Sequence, residues 1–169
     1  MVISLNFKTE VIDIIERAKD VKSFRFFKPK TFEYDAGQFM VITIQSGDEK
    51  LEKHFTISSS PTEDFIEITK KLTGHKFSNA LNSLRKGDII KADGPHGKFV
   101  INESDEKISM LSGGIGITPI RSICKYATDK QLAIYIILIY GNETKSDIVF
   151  KKDFEEMKKS NKKLTVVHV

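Results

Sequence analysis

The seven residues Gly113-Gly114-Ile115-Gly116-Ile117-Thr118-Pro119 constrain this chain more than any other stretch. They stand between a short apolar run at 107–111 and a helical pattern at 119–127, and a nearly continuous apolar run follows at 132–140. Strand, glycine-rich turn, helix and strand make a βαβ unit, in which the second strand runs parallel to the first and reads as buried. Glycines let the backbone approach a pyrophosphate, Thr118 is placed to cap the helix, and Pro119 suits the first helical position. Pro119 also fills the last slot of the usual Gly-x-Gly-x-x-Gly, and a glycine-rich loop alone is a weak signal.

Upstream the pattern is different. Strand-like runs at 10–17, 21–28, 39–45, 54–58, 65–71 and 88–93 are separated by turn residues, among them Asp20, Pro29, Gly37, Gly47-Asp48, Pro61 and Gly87-Asp88. Six such strands can close on themselves and leave no open edge. One helix is expected at 78–84 with Ser78 as its N-cap; the turn before it, Thr73-Gly74-His75-Lys76-Phe77, presents free N–H groups to an anion. The polar run 102–107 is the expected boundary, giving an all-β unit at 1–102 and an α/β unit at 103–169.

Within the first unit, residues 53–61, Lys-His-Phe-Thr-Ile-Ser-Ser-Ser-Pro, interleave charge, aromatic surface and hydroxyls. On a strand, Phe55 and Ile57 point opposite to His54, Thr56 and Ser58. An aromatic wall at Phe55 beside the Thr56 hydroxyl suits a flavin, whose ring needs stacking and whose N5 atom needs a short polar contact. Lys53 is placed to neutralise a phosphate.

These stretches together resemble the ferredoxin-NADP reductase superfamily over nearly the whole chain. Its flavin motif Arg-x-Tyr-Ser-x-x-Ser is matched by Lys53, Phe55, Thr56 and Ser59; its Gly-x-x-x-Ser turn by Gly74 and Ser78; its barrel-closing Gly-Pro-x-Gly-x-Phe by Gly94-Pro95-His96-Gly97-Lys98-Phe99; and its nucleotide loop by residues 113–119. Tyr140-Gly141-Asn142-Glu143-Thr144 matches a further segment, except that Glu143 replaces an Arg, which counts against NADPH and for NADH. The resemblance implies a six-stranded antiparallel Greek-key barrel binding FAD, followed by a parallel α/β domain for NADH or NADPH. It assigns Thr56 the contact to flavin N5 and Phe55 the stacking. His54, Thr69 and Lys70 fall along the flavin and its ribityl chain, and Lys53, Gly74, Lys76, Phe77 and Ser78 at its pyrophosphate. Gly113, Gly114, Gly116, Thr118 and Pro119 receive the nicotinamide nucleotide, with Gly141 and Asn142 beside them. Family members continue for several dozen residues beyond the strand expected at 164–169, so the nucleotide domain reads as incomplete, and its edge invites pairing into a homodimer.

The implied activity is transfer of a hydride from NAD(P)H to FAD, then of electrons to a separate carrier such as ferredoxin or an iron-sulfur oxygenase partner. The alternative is a non-catalytic flavin-binding electron-transfer or regulatory module. Composition narrows the rest. The 27 Lys and Arg against 23 Asp and Glu leave +4 with charges scattered, which argues against nucleic acid. Cys124 is the single cysteine, so no disulfide and no four-thiolate cluster forms within the chain, and His54, His75, His96 and His168 share no metal-ligand spacing. No basic-then-apolar leader opens the sequence, and the longest apolar run falls far short of the roughly 20 residues that span a bilayer; a cytoplasmic protein is expected.

Overall fold

The computed structural model describes residues 5–169; the first four, part of the stretch read for a leader, lie outside that range. In the first half, β1 (Leu5–Ala18), β2 (Val21–Phe27), β3 (Phe39–Ser46), β4 (Glu49–Thr56), β5 (Phe65–Lys71) and β6 (Ile89–His96) form one sheet ordered β4-β3-β6-β1-β2-β5. Every ladder is antiparallel. Lys19-Asp20 and Gly47-Asp48 close two tight hairpins, with Asp20 and Gly47 at φ of 57° and 59°, the hand that follows strand twist. β6 inserts between β3 and β1, completing a Greek key.

Period-two alternation decides which side chains meet. Phe24 and Phe26 on β2, Met40, Ile42 and Ile44 on β3, and Ile66 and Ile68 on β5 fill one core with Phe32, Ile57 and Leu81. The ladder stays open between the edge strands β4 and β5; past the end of β4, the Ser58 N–H bridges this seam to the Glu67 carbonyl (2.7 Å). The turn at 94–99 needs its glycines. A Cβ on Gly94 would sit 2.8 Å from the Met40 Cβ, and one on Gly97, at φ +99°, would sit 2.9 Å from the Phe39 ring.

Between β5 and β6 lies α1 (Lys76–Ser83), which starts two residues before the expected helix and has His75, not Ser78, in the cap position. The second half contains three parallel strands, β7 (Lys107–Gly113), β8 (Tyr135–Gly141) and β9 (Leu164–His168), in that spatial order. They alternate with α2 (Thr118–Asp129) and α3 (Lys151–Ser160). Before α3 the chain makes a 3-10 turn at Lys145–Asp147, and Phe150, at a left-handed φ of 63°, sets where α3 begins.

Ile120, Ile123 and Ala127 of α2 and Phe154 and Met157 of α3 pack with Met110, Ile136, Leu138, Leu164 and Val166. Here the expectation of a strand buried on both faces is corrected. β8 alternates, because Tyr135, Ile137 and Ile139 are exposed along with Leu111 and Val167. The helices of these βαβ units leave that face uncovered. Among the described residues no helix is long and apolar enough to cross a membrane.

Candidate functional site

β4 is an edge strand, hydrogen-bonded to β3 on one side only, and it carries the residues read as the flavin strand. Lys53 and Phe55 point one way and His54 and Thr56 the other. Phe55 is half-buried with its ring 5.4 Å from the Phe77 ring of α1, and the His54 ring meets Phe39 edge-on at 5.5 Å. The Thr56 hydroxyl makes no hydrogen bond among the described residues.

Past Thr56 the expected alternation stops. Ser58, Ser59 and Ser60 are all fully buried, because the chain here turns under the second unit. The Ser58 hydroxyl reaches the Glu67 carboxylate (3.1 Å) and Thr69 (3.1 Å), and Ser59 Oγ accepts the Glu67 N–H (2.9 Å). The Tyr34 phenol, its pKa pushed up by burial, bonds to Ser59. Thr69, expected along the ribityl chain, is buried and turns its hydroxyl inward to Ser23 (2.7 Å) and Ser58 (3.1 Å).

Two cations on neighbouring strands lack carboxylate partners. Lys53 and Lys70 make no ion pair among the described residues, and the Lys70 pKa is lowered by partial burial first and then by the like charge of Lys53. Such a pair fits a diphosphate, which would relieve the repulsion. Lys76 stands apart from them, paired with Glu49. At the start of α1, Gly74 takes φ +72° with open space where a Cβ would be, and its carbonyl accepts from the Asn79 amide (2.8 Å). Ser78 is buried and accepts the Thr73 N–H (3.0 Å), so it closes the turn instead of capping the helix.

The glycine loop sits where parallel strands end. Gly113 closes β7 opposite Gly141 of β8, and a 3-10 turn at Gly114–Ile117 leads into α2. Thr118 does not cap: Ile117 holds that position, and the Thr118 hydroxyl points back to the Ile115 carbonyl at 3.5 Å. Pro119 lies in the first turn, as its fixed φ allows. A Cβ on Gly113 or Gly114 would meet nothing within 4 Å. Beside them a cleft of about 360 Å³ is lined by Gly113, Gly114, Asn142 and Glu143 on one side and Lys19 and Lys71 on the other.

Buried polar atoms in this region lack partners. Among the described residues, Ser112 Oγ and both side-chain polar atoms of Asn142 have no hydrogen-bond partner within bonding geometry, while burial raises the Tyr140 pKa and the nearby Asn142 side chain lowers it. Buried orphans of this kind normally have a partner, so together with the open glycines they fit a polar nucleotide. β5 also packs against the 3-10 turn, which brings the strand of Thr69 and Lys70 beside the glycine loop.

Reading the sequence missed the residues that join the two units. Arg121 and Ser122, one turn into α2, bond to the carbonyls of Ser58 (3.2 Å) and Ser59 (2.6 Å). Within the first unit the same reading also missed Glu67, fully buried on β5, which accepts from Arg17 and Arg25, both at 2.9 Å. An acid alternating with apolar residues in Phe65-Ile66-Glu67-Ile68 reads as a solvent-facing position. The one available signal was Arg121 itself, a charge in the otherwise apolar and small run Ile120-Arg121-Ser122-Ile123.

Comparison with known proteins agrees with this geometry. Residues 8–101 match the family model of the oxidoreductase FAD-binding domain, and residues 110–169 that of the oxidoreductase NAD-binding domain. The chain is 32% identical over 152 residues to the glycine betaine monooxygenase reductase subunit of Chromohalobacter salexigens, covering 86% of this chain and 41% of that protein. It is 31% identical over 171 residues to the ferredoxin reductase component of 3-ketosteroid-9-alpha-monooxygenase from Mycolicibacterium smegmatis, covering 94% and 48%. The chain thus spans about half the length of these curated relatives or less. Among solved structures, ferredoxin-NADP+ reductase from Plasmodium falciparum superposes with a TM-score of 0.87 at 19% identity, over 97% of this chain and 73% of that one. A ferredoxin NADP+ reductase from Neisseria gonorrhoeae, solved with FAD and NADP, gives 0.84 at 18% identity over 96% and 67%. With an FAD-binding and an NAD-binding model matched in succession, the chain belongs to the oxidoreductases built from these two domains, and it shares the fold of the ferredoxin-NADP reductases.

Proposed function

We propose that this chain carries the flavin and nucleotide sites of a reductase that takes electrons from a nicotinamide nucleotide and hands them to a separate carrier. Bound flavin supplies the chemistry, accepting two electrons with a proton as a hydride and releasing them singly. The protein's part is to bind, orient and exclude water. Thr56 offers its unpartnered hydroxyl to the reactive ring nitrogen, with Phe55, backed by Phe77, as the stacking wall and His54 beside it. Lys53 and Lys70 hold the diphosphate, helped by the Gly74–Ser78 turn, Lys76 and the backbone of Thr69. Gly113, Gly114, Gly116, Thr118 and Pro119 form the nucleotide loop, and Gly141 and Asn142 complete it. Flavin and nucleotide roles divide at residues 102–103, in the turn closed by the Asn102 carbonyl and the Asp105 N–H (3.0 Å).

One observation carries the reading: unpartnered polar atoms and open glycines at the ends of β7 and β8 stand beside strands that carry two cations without counter-charge. Glu143 lines the cleft where the resembled family has Arg, so NADH is the preferred donor. Relatives that are reductase components of oxygenases support an iron-sulfur protein such as ferredoxin or an oxygenase component as acceptor. The cytoplasm is the compartment in which we place it. Pairing into a homodimer would use the free outer edge of β9.

An anaerobic visible spectrum of the protein with FAD, taken before and after NADH and then NADPH, tests the reading. Flavin bands bleached faster by NADH are the expected result. Bound flavin bleached by dithionite and by neither nucleotide would replace it with a non-catalytic flavin module, and failure to retain flavin would refute it.

A further inference from the structure

Arg121 is only 3% exposed, yet it lies one turn beyond the nucleotide loop. Burial of a guanidinium is costly unless its donors are met, and here they are met from separate parts of the chain. Nε and one terminal nitrogen reach Asp153 of α3 at 3.0 and 2.9 Å. The terminal nitrogens grip Glu63, one at 3.0 Å and one closer, and Glu63 itself accepts the Ser60 N–H (2.7 Å). One of them also donates to the Ser58 carbonyl (3.2 Å), and the Ser122 hydroxyl beside it to the Ser59 carbonyl (2.6 Å). Asp153 is shared with Arg17 of β1 at 3.6 Å, and both guanidinium groups meet the Phe150 ring, Arg17 at 4.8 Å and Arg121 at 5.6 Å.

Stability alone does not call for this arrangement, since well-packed apolar residues hold an interface as well as a buried ion pair. A planar five-donor fork adds fixed geometry that a Lys or an apolar side chain lacks. The places it joins are telling: one end of the clamp begins five residues after Gly116, the other lies two residues after Thr56. Resting on the function proposed above, we infer that Arg121, with Ser122, is a positioning residue that sets the spacing between nucleotide loop and flavin strand. Its loss slows flavin reduction without loosening either cofactor.

The test compares Arg121→Met, Arg121→Lys and Ser122→Ala with the wild type. Flavin affinity is read by fluorescence, and the limiting rate of flavin reduction and the nucleotide dissociation constant by anaerobic stopped flow. Inter-unit spacing is read from spin labels at Ser46→Cys and Lys158→Cys, two exposed sites, with Cys124 buried and protected. In Arg121→Met the limiting rate should fall about 10- to 100-fold, the scale of an ångström's misplacement, while both affinities hold and the label distances broaden. Arg121→Lys should recover part of the rate, and Ser122→Ala should show the same pattern more weakly, which keeps the test open if Arg121→Met does not fold. A label distance as narrow in Arg121→Met as in wild type, or a loss confined to nucleotide affinity, would overturn the inference. If no nucleotide reduces the wild-type flavin, the functional reading fails, and the label distances still decide whether Arg121 sets the spacing.

Discussion

Replacing Glu67 by Gln tests whether charge holds the buried polar cluster inside the first unit. The Glu67 side chain is fully buried, with Oε2 accepting from Arg17 and Arg25 at 2.9 Å each and Oε1 from Ser58 at 3.1 Å. Gln keeps the volume and the Ser58 bond but turns two charge-assisted bonds into neutral ones and leaves two guanidinium groups facing an uncharged amide. Breaking a buried pair costs about 3–5 kcal/mol. The lower end applies, because the Arg17 and Arg25 side chains keep 13% and 26% exposure and Arg17 retains Asp153 at 3.6 Å. For a chain of this size about 3 kcal/mol corresponds to a melting temperature lower by roughly 6–12 °C. Calorimetry at neutral pH reads it, with Glu52→Gln, an exposed partner of Lys50, as a control that should not move. A Glu67→Gln midpoint within about 2 °C of wild type, on the same scale, would refute the argument that this cluster is held by charge.

Two further outcomes follow from single side chains. Lys53→Arg should tighten flavin binding, because the planar fork grips a diphosphate at two points where an ammonium offers one charge; fluorescence titration showing equal or weaker affinity would remove Lys53 from the site. The Cys124 thiol, pushed up from 9.0 to about 12 by burial alone, should resist thiol reagents at pH 8 until the protein unfolds. Its folded pKa is raised, so its contribution is complete below pH 9 and is lost as pH rises toward 12. Cys124→Ala should therefore flatten the alkaline fall in stability, measured by denaturant titration between pH 9 and 12.

What was legible came from local chemistry. Hairpins at Asp20 and Gly47-Asp48 announce themselves because positive φ selects for a few residue types, and β2, β3 and β5 because alternation has a period of its own. The caps were misread for a physical reason. Ser78 and Thr118 have the right chemistry for an N-cap, but Ser78 closes the Thr73 turn and Thr118 points back to Ile115, since the backbone enters each helix one or more residues earlier. β8 looked buried on both faces, and only the placement of α2 and α3 on one side shows that Ile137 and Ile139 are left in the open.

The sequence by itself determined two folding grammars, their order and the glycine loop, because φ preference, side-chain period and the absence of a Cβ belong to each residue wherever it sits. Only the tertiary structure decided that both faces of β5 are covered, that Glu67 meets Arg17 from 50 positions away, and that Arg121 reaches Ser58 across 63. The Glu67–Arg17 contact depends on how β1 and β5 come together within the first unit, and the Arg121–Ser58 contact on how the second unit lies against the first. A polar residue at an alternating position has the same local signature whether water or another part of the chain satisfies it.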